Sequence, residues 1–443
     1  MKLAVAVQRY GADINGGAEL HARYIAERLA RHADVEVVTT CARDYVTWKN
    51  ERPEGIEQVN GITVRRFPVR HERTPNHFGR LSRRVFEERH SIADELDWLD
   101  SEGPASPAMI EFLERSAPKL DFILLFSYRY YHAWHGARRV SEKALLVPTA
   151  ERDPAIGLRI FGPAFRGVRA VMYNSHEEQA MIHAATGNQQ VPGVVVGVGS
   201  EIPGRTDPER FRRQHNIRKP FAIYVGRIDE NKGCKELFEF FLRYAATFPR
   251  GLDLVLVGSP IIPIPQHPRI HHLGFLPDQD KFDGIAASDL LIMPSYFESL
   301  SMVALEAWAL GRPVLANGHC DVLKGQCIRS GAGLYYERYE EFAETLYALE
   351  SNGPLNARLG RNGRDYFTRH YTWPVIERKY LDMFDRLKRE DAAAQSRRQP
   401  EPLGGWLARR RRDQPPAAAV LAQIPSGAAT AGGGSASNLS RSA

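Results

Sequence analysis

Two short stretches of the chain hold residue types suited to the same chemistry. The first is Gly226-Arg227-Ile228-Asp229-Glu230-Asn231-Lys232-Gly233. Arginine offers a planar fork of donors and lysine a point charge, and both stand close to glycine backbone. Two such cations can clamp a diphosphate. When the diphosphate leaves, negative charge grows on it, and the clamp then stabilises the transition state. The alternative is a solvated basic turn. The second stretch is Glu298-Ser299-Leu300-Ser301-Met302-Val303-Ala304-Leu305-Glu306. A helix beginning near Leu300 would aim the free N–H groups of Leu300, Ser301 and Met302, and its dipole, at an anion. Glu306 falls between the apolar runs Val303–Leu305 and Ala307–Leu310, where a charge needs a reason. A carboxylate there suits a ribose diol, and Glu298 in the preceding loop suits sugar hydroxyls. The alternative is a solvated pair on a surface helix.

Strands and helices in alternation must position these residues. Lys2–Gln8 reads as a buried strand, followed by a glycine turn at Gly16-Gly17 and a helix over Ala18–His32 with Leu20, Tyr24, Ile25 and Leu29 on one face. Further strands are expected at Val35–Thr39, Ile62–Phe67, Asp121–Phe126, Ala144–Val147 and Ala170–Tyr173. The charged stretch 70–115 reads as surface insertions with helical patches. Val194–Gly204, rich in Gly and Val, marks the best domain boundary. Alternation then restarts with strands at Phe221–Val225, Leu252–Val257, Leu290–Met293 and Pro313–Ala316, and helices at Lys235–Ala246 and Met302–Leu310. Repeated βα units predict parallel sheets with ligands at the carboxyl ends of the strands. Thr372 as N-cap and Pro374 in the first turn predict a last helix over Val375–Lys388.

The expected fold class is therefore α/β, with two Rossmann-like domains facing across a cleft. The domains are 1–200 and 201–373, followed by a crossing helix at 374–390 and a disordered basic, Ala/Gly/Pro-rich tail at 391–443. The 443 residues accommodate this division. Net charge is +6. Seven arginines against three acids place +4 of it in the tail, so the nearly neutral body argues against a nucleic-acid surface. No apolar run is long enough to span a bilayer. Cys41, Cys234, Cys320 and Cys327 form no CxxC pair, so a reduced, cytoplasmic protein without structural zinc is expected.

Taken together, strand–Gly-Arg-x4-Lys-Gly–helix, then Glu-x7-Glu before Gly311-Arg312-Pro313-Val314-Leu315-Ala316, resembles the retaining glycosyltransferases of family 4, which have the GT-B fold. The resemblance runs from about Met1 to about Leu387 and is strongest from Asn174-Ser175 through Tyr336. It implies that Gly226, Arg227 and Lys232 bind the diphosphate of a nucleotide sugar, Glu306 its ribose and Glu298 the transferred sugar. Gly16-Gly17-Ala18-Glu19 looks like the family's first glycine loop, which approaches the donor phosphate and the acceptor. The family places a site histidine after the strand ending at Phe126, and His132 and His135 both qualify. Either could equally be an exposed or core-edge histidine.

The implied reaction is transfer from a UDP- or GDP-linked sugar to a saccharide or lipid-linked saccharide acceptor. The anomeric configuration is retained, in polysaccharide or glycolipid assembly, with no metal and no cofactor beyond the donor. A nucleotide-sugar epimerase and a non-catalytic nucleotide-sugar-binding scaffold are the rival readings. A dinucleotide oxidoreductase is disfavoured because no G-x-G-x-x-G follows the first strand. Glu151-Arg152-Asp153 departs from the His-Asp-Glu that related sequences carry and reads as an ion-paired turn. Asp278-Gln279-Asp280 formally matches a metal-binding DxD and reads instead as a helix cap. Arg409–Arg412 beside Trp406 and Leu407 could make peripheral contact with anionic membrane; the alternative is a solvated tail.

Overall fold

The computed structural model describes residues 1–14, 16–393 and 403. Its first eight strands are β1 (Lys2–Ala6), β2 (Asp34–Thr40), β3 (Gly55–Val59), β4 (Ile62–Phe67), β5 (Phe122–Phe126), β6 (Ala144–Val147), β7 (Ala170–Tyr173) and β8 (Gly193–Val195). They form one sheet in the order β3-β4-β2-β1-β5-β6-β7-β8. All neighbours are parallel except the hairpin of β3 and β4. The central strands are apolar on both faces, and every residue of Phe122–Phe126 is buried, because helices cover both sides of a parallel sheet.

A second sheet contains β9 (Phe221–Val225), β10 (Asp253–Val257), β11 (Ile270–His272), β12 (Leu290–Met293), β13 (Val314–Asn317) and β14 (Gly333–Tyr336). Its order is β11-β10-β9-β12-β13-β14, all parallel. Chain order reverses between β9 and β12, and in the first sheet between β1 and β5. Such reversals open crevices beyond the strand ends. The Gly226–Gly233 loop follows β9 and the Glu298 loop follows β12, so both expected site segments leave one switch point.

The chain crosses between the two sheets twice. Residues 196–200 lead from the first to the second, and the helix Trp373–Ala393 returns. That helix packs Ile376, Tyr380, Phe384 and Leu387 into the first sheet's core, with Phe384 stacked on Phe122 at 5.2 Å. Arg169 anchors it by binding Glu390 at 3.0 Å and Asp391 at 2.9 Å. The two crossings touch: a Cβ on Gly199 would come within 2.8 Å of the Trp373 ring.

Two expectations are corrected. Residues 70–115 are not surface insertions, because the helices Pro75–Glu87, Ile92–Glu102 and Pro107–Ser116 cover one face of the first sheet. Leu96, Trp98, Leu99, Met109 and Leu113 are buried there. Charges obscured the apolar spacing, and two of those charges are themselves buried in ion pairs: Glu102 with Arg73 at 2.9 Å, and Glu95 with Arg159 at 2.8 Å. Thr372 stands at the N-cap position of the last helix, directly before Trp373, its carbonyl accepting from the Val375 and Ile376 N–H groups, while its hydroxyl donates to the Thr368 carbonyl at 3.3 Å. That helix also runs on to Ala393, into the stretch expected to be disordered. The Arg409–Arg412 run lies outside the described residues. Among the described residues no helix is long and apolar enough to cross a membrane.

Candidate active site

The loop after β9 is shaped by two close backbone approaches. Gly258, with φ +139°, sits against the Gly226 carbonyl, and an added Cβ would lie 1.9 Å from that oxygen. Gly233, with φ +71°, meets the Pro294 carbonyl at the end of β12 in the same way, at 2.0 Å. Only glycine fits such contacts. They fix the Gly226–Gly233 loop to the ends of β10 and β12. The Tyr224 hydroxyl donates to the Arg227 carbonyl at 2.6 Å, and Asp229 accepts the Lys232 backbone N–H at 2.7 Å.

The cations differ in their engagement. Lys232 donates through Nζ to Glu298 Oε1 at 2.8 Å. Burial favours the neutral amine, but Glu298 and then Glu151 outweigh it and raise the Lys232 pKa. Arg227 is held through Nε by Asp229 and is 55% exposed, with its terminal nitrogens unpartnered among the described residues. Lys232 and Glu298 thus form a preset pair, and Arg227 stands open beside it.

Helix Met302–Ala309 begins with Ser301 as N-cap, its hydroxyl accepting from the Ala304 N–H at 3.3 Å. Leu300 and Ser301 are buried and Met302 half-buried. Glu306 lies one turn further on and is 5% exposed. Its Oε1 accepts from Ser200 Oγ at 2.8 Å and from Lys281 Nζ at 3.1 Å, while Oε2 is buried without a partner among the described residues. A carboxylate oxygen in that state is costly unless a donor arrives. Ser200 and Lys281 carried no local signal in the sequence. One lies in the interdomain crossing and the other in helix Asp278–Ala287, and only the fold brings them to Glu306.

The remaining expected site residues belong to the first domain. Gly16 precedes the helix Gly17–Leu29, and a Cβ on it would strike the carboxylate of Glu19 at 2.1 Å, while Gly17 has open space around its Cβ position. Glu19 is paired with Arg9 at 2.6 Å. The two histidines part company. His132 is fully buried after β5, its Nε2 2.9 Å from the Phe126 carbonyl and its Nδ1 without a partner among the described residues. Burial pushes its pKa down to about 4. His135 packs on Tyr131 and Trp134 and stands 3.9 Å from Asp100 in helix Ile92–Glu102, on the helical layer that covers the sheet.

The turn after β6 is ion-paired, as its sequence suggested: Arg152 reaches Asp321 of the second domain at 2.8 Å and Asp153 holds Arg129 at 2.7 Å. Glu151, beside them, feels both Lys232 and Glu298, and burial raises its pKa. A recess of about 90 Å³ lies between the domains here, lined by Ala150, Glu178, Tyr296, Glu298, His319 and Cys320. Asp278-Gln279-Asp280 makes neither a cap nor a cluster. Pro277 occupies the N-cap, Asp280 pairs with Arg210, and Asp278 stands 3.4 Å from Lys281. Among the described residues no group of three or more His, Cys, Asp or Glu is placed to hold a metal ion.

Two Rossmann-like domains with a C-terminal helix crossing back to the first define the GT-B architecture. Solved structures share it. Sucrose-phosphate synthase from Thermosynechococcus elongatus superimposes with a TM-score of 0.62 at 18% identity, covering 89% of this chain and 100% of that one. Anabaena HepE in complex with UDP-glucose gives 0.62 at 18%, covering 87% and 99%.

Residues 206–366 match the family model for glycosyl transferases group 1, and the chain is a GT-B protein carrying a group 1 glycosyl transferase domain. It is 31% identical over 209 residues to a D-inositol 3-phosphate glycosyltransferase from Rhodococcus opacus, a match covering 41% of this chain and 46% of that protein. At this level of identity the chain spans about half the length of the curated relatives it matches. The enzyme of that name from Corynebacterium urealyticum is 20% identical over 89% of this chain and 96% of its own length.

Proposed function

We propose that the protein transfers a sugar from a nucleotide-diphosphate sugar to a hydroxyl acceptor with retention of anomeric configuration. The observation that carries this reading is the convergence, at one switch point, of Arg227, the Lys232–Glu298 pair and the half-satisfied Glu306. In the proposed pose Arg227 and Lys232 hold the diphosphate, and the N–H groups around Leu300, Ser301 and Met302 face its charge. The open Oε2 of Glu306 accepts from the ribose hydroxyls. Glu298 accepts from hydroxyls of the transferred sugar while it keeps Lys232 charged and placed. As the glycosidic oxygen departs, charge accumulates on the diphosphate where the two cations wait, so the clamp does the work a metal would otherwise do. His132, buried after β5, is the better placed of the two histidines to line the donor sugar, through its unpartnered Nδ1.

A uridine donor is favoured because HepE was solved with UDP-glucose. A saccharide or glycolipid acceptor is favoured by the names of relatives, which include an alpha-monoglucosyldiacylglycerol synthase from Acholeplasma laidlawii. Gly16 and Gly17 stand at the acceptor side of this pose. The protein works in the cytoplasm in this reading, on polysaccharide or lipid-linked acceptors, with no cofactor beyond the donor. The test is calorimetric titration of the full chain with UDP-, GDP- and ADP-sugars in EDTA. One nucleotide should bind saturably and lose binding in Arg227→Ala and Glu306→Ala. Absence of binding at millimolar nucleotide would defeat the proposal.

A further inference from the structure

A second recess, of about 470 Å³, opens between the edge of the first sheet and the helices Asp321–Ser330, Gly353–His370 and Trp373–Ala393. None of its lining residues belongs to the donor clamp, and its size is that of small-molecule sites. Arg329, Arg369 and Lys379 line it against a single carboxylate, Asp365, and two histidines, His176 and His370, stand beside them. We propose that this recess binds a small soluble phosphate monoester through Lys379, Arg369 and Arg329.

Lys379 is the central group. It is half-buried, and its Nζ donates to two carbonyls, Val196 at 3.1 Å and His370 at 3.4 Å. No carboxylate lies within ion-pair distance of it among the described residues. A half-buried ammonium held only by carbonyls lacks a countercharge, and an anion in the recess would supply one. Arg369 is 72% exposed and reaches Asp365 only at 3.5 Å, so its fork is available to a phosphate. Arg329 shares its guanidinium with Glu177, one bond being 2.9 Å, and has donors left over. Tyr366 and Tyr371, whose hydroxyls stand 3.5 Å apart, and Ser330 give the wall polar groups for the remainder of a phosphorylated polyol.

The recess also joins the two domains. His176 and Val195 come from the first, Arg329 and Arg369 from the second, and Lys379 from the returning helix, where it touches the first residue of the outgoing crossing. A ligand there would contact both halves of the molecule at the crossing point, on residues separate from Arg227 and Lys232.

The experiment is calorimetric titration of the full chain with glycerol 3-phosphate and with inorganic phosphate, repeated in Lys232→Ala, Lys379→Ala and Arg369→Ala. A parallel arm measures co-sedimentation with phosphatidylcholine vesicles containing phosphatidic acid. We expect saturable binding of glycerol 3-phosphate that survives Lys232→Ala and weakens at least tenfold in Lys379→Ala. It should weaken at least threefold in Arg369→Ala, an exposed position whose change leaves folding intact. Three results overturn the proposal: no saturable binding, binding that is lost in Lys232→Ala and kept in the other two variants, or binding to the vesicles alone. Because the readout is binding outside the donor clamp, its failure would leave the glycosyl-transfer reading untouched, and the reverse also holds.

Discussion

Replacing Glu306 by Gln isolates the role assigned to its free oxygen. In the wild type Oε1 is satisfied by Ser200 and Lys281, at 2.8 and 3.1 Å, and Oε2 is buried with no partner among the described residues. The amide can keep an acceptor for Ser200 and Lys281, but it replaces the open carboxylate oxygen with an NH₂ and removes the charge. Hydrogen bonds to a charged group contribute about 1.5–3 kcal/mol each, which is roughly 10- to 150-fold in affinity. The assay is calorimetry with the nucleoside diphosphate that binds best and with its 2′,3′-dideoxy analogue. The wild type should prefer the parent by about that factor, and in Glu306→Gln the preference should collapse to near unity. Equal weakening of both ligands would refute the ribose assignment. It would mean that Glu306 only holds Ser200 and Lys281, and through them the crossing, in place.

Arg227→Ala should lower turnover of the nucleotide sugar by about 10²–10³-fold through the chemical step; an unchanged kcat would remove Arg227 from leaving-group stabilisation. Gly258→Ala forces a Cβ into the Gly226 carbonyl at a φ of +139°, so it should cost more than about 1 kcal/mol of stability and weaken nucleotide binding by displacing the clamp loop. Urea unfolding read beside calorimetry checks both, and a variant as stable as wild type would show that the loop is not fixed by this contact. His21 is buried edge-on against Phe126 with Nε2 unpartnered, and burial lowers its pKa to about 3. A depressed histidine pKa means that the unfolded chain takes up the proton first. The stability is full above about pH 6.5 and is lost as pH falls, by about 3 kcal/mol between pH 6.5 and 4. His21→Phe should remove that part of the acid sensitivity, and unfolding midpoints that fall in parallel for both proteins would show that His21 does not carry it.

The legible parts of this protein were those written in local patterns. Phe122–Phe126, Phe221–Val225 and Leu290–Met293 are unbroken apolar runs of strand length, and each is a buried parallel strand. The Gly226–Gly233 loop and the Glu298/Glu306 spacing could be found because glycine, cations and an out-of-place carboxylate stand out within ten residues. What sequence hid depends on distant partners. Glu95 and Glu102 looked like surface charge, and their helices looked like insertions, because the arginines that neutralise them, Arg159 and Arg73, stand 64 and 29 residues away in sequence. Ser200 and Lys281 could not be tied to Glu306 without the crossing and helix Asp278–Ala287. Lys379 sits on a helix whose start was visible in Thr372 and Pro374, but the recess it enters is built from both domains. His132 and His135 were equivalent by spacing, and the fold separates them by burying His132 against the Phe126 carbonyl and packing the helix Ile92–Glu102 beside His135.

The central claim is that this cleft cleaves a nucleotide-diphosphate sugar with the clamp at the switch point and keeps the anomer. Its most direct test is proton NMR of the selected nucleotide sugar incubated with the full chain in EDTA and without acceptor. Arg227→Ala serves as the control. The account predicts slow release of free sugar that first appears in the donor's own anomeric configuration and is abolished in the control. Release of the opposite anomer, or turnover that depends on added divalent metal and not on Arg227, would contradict it.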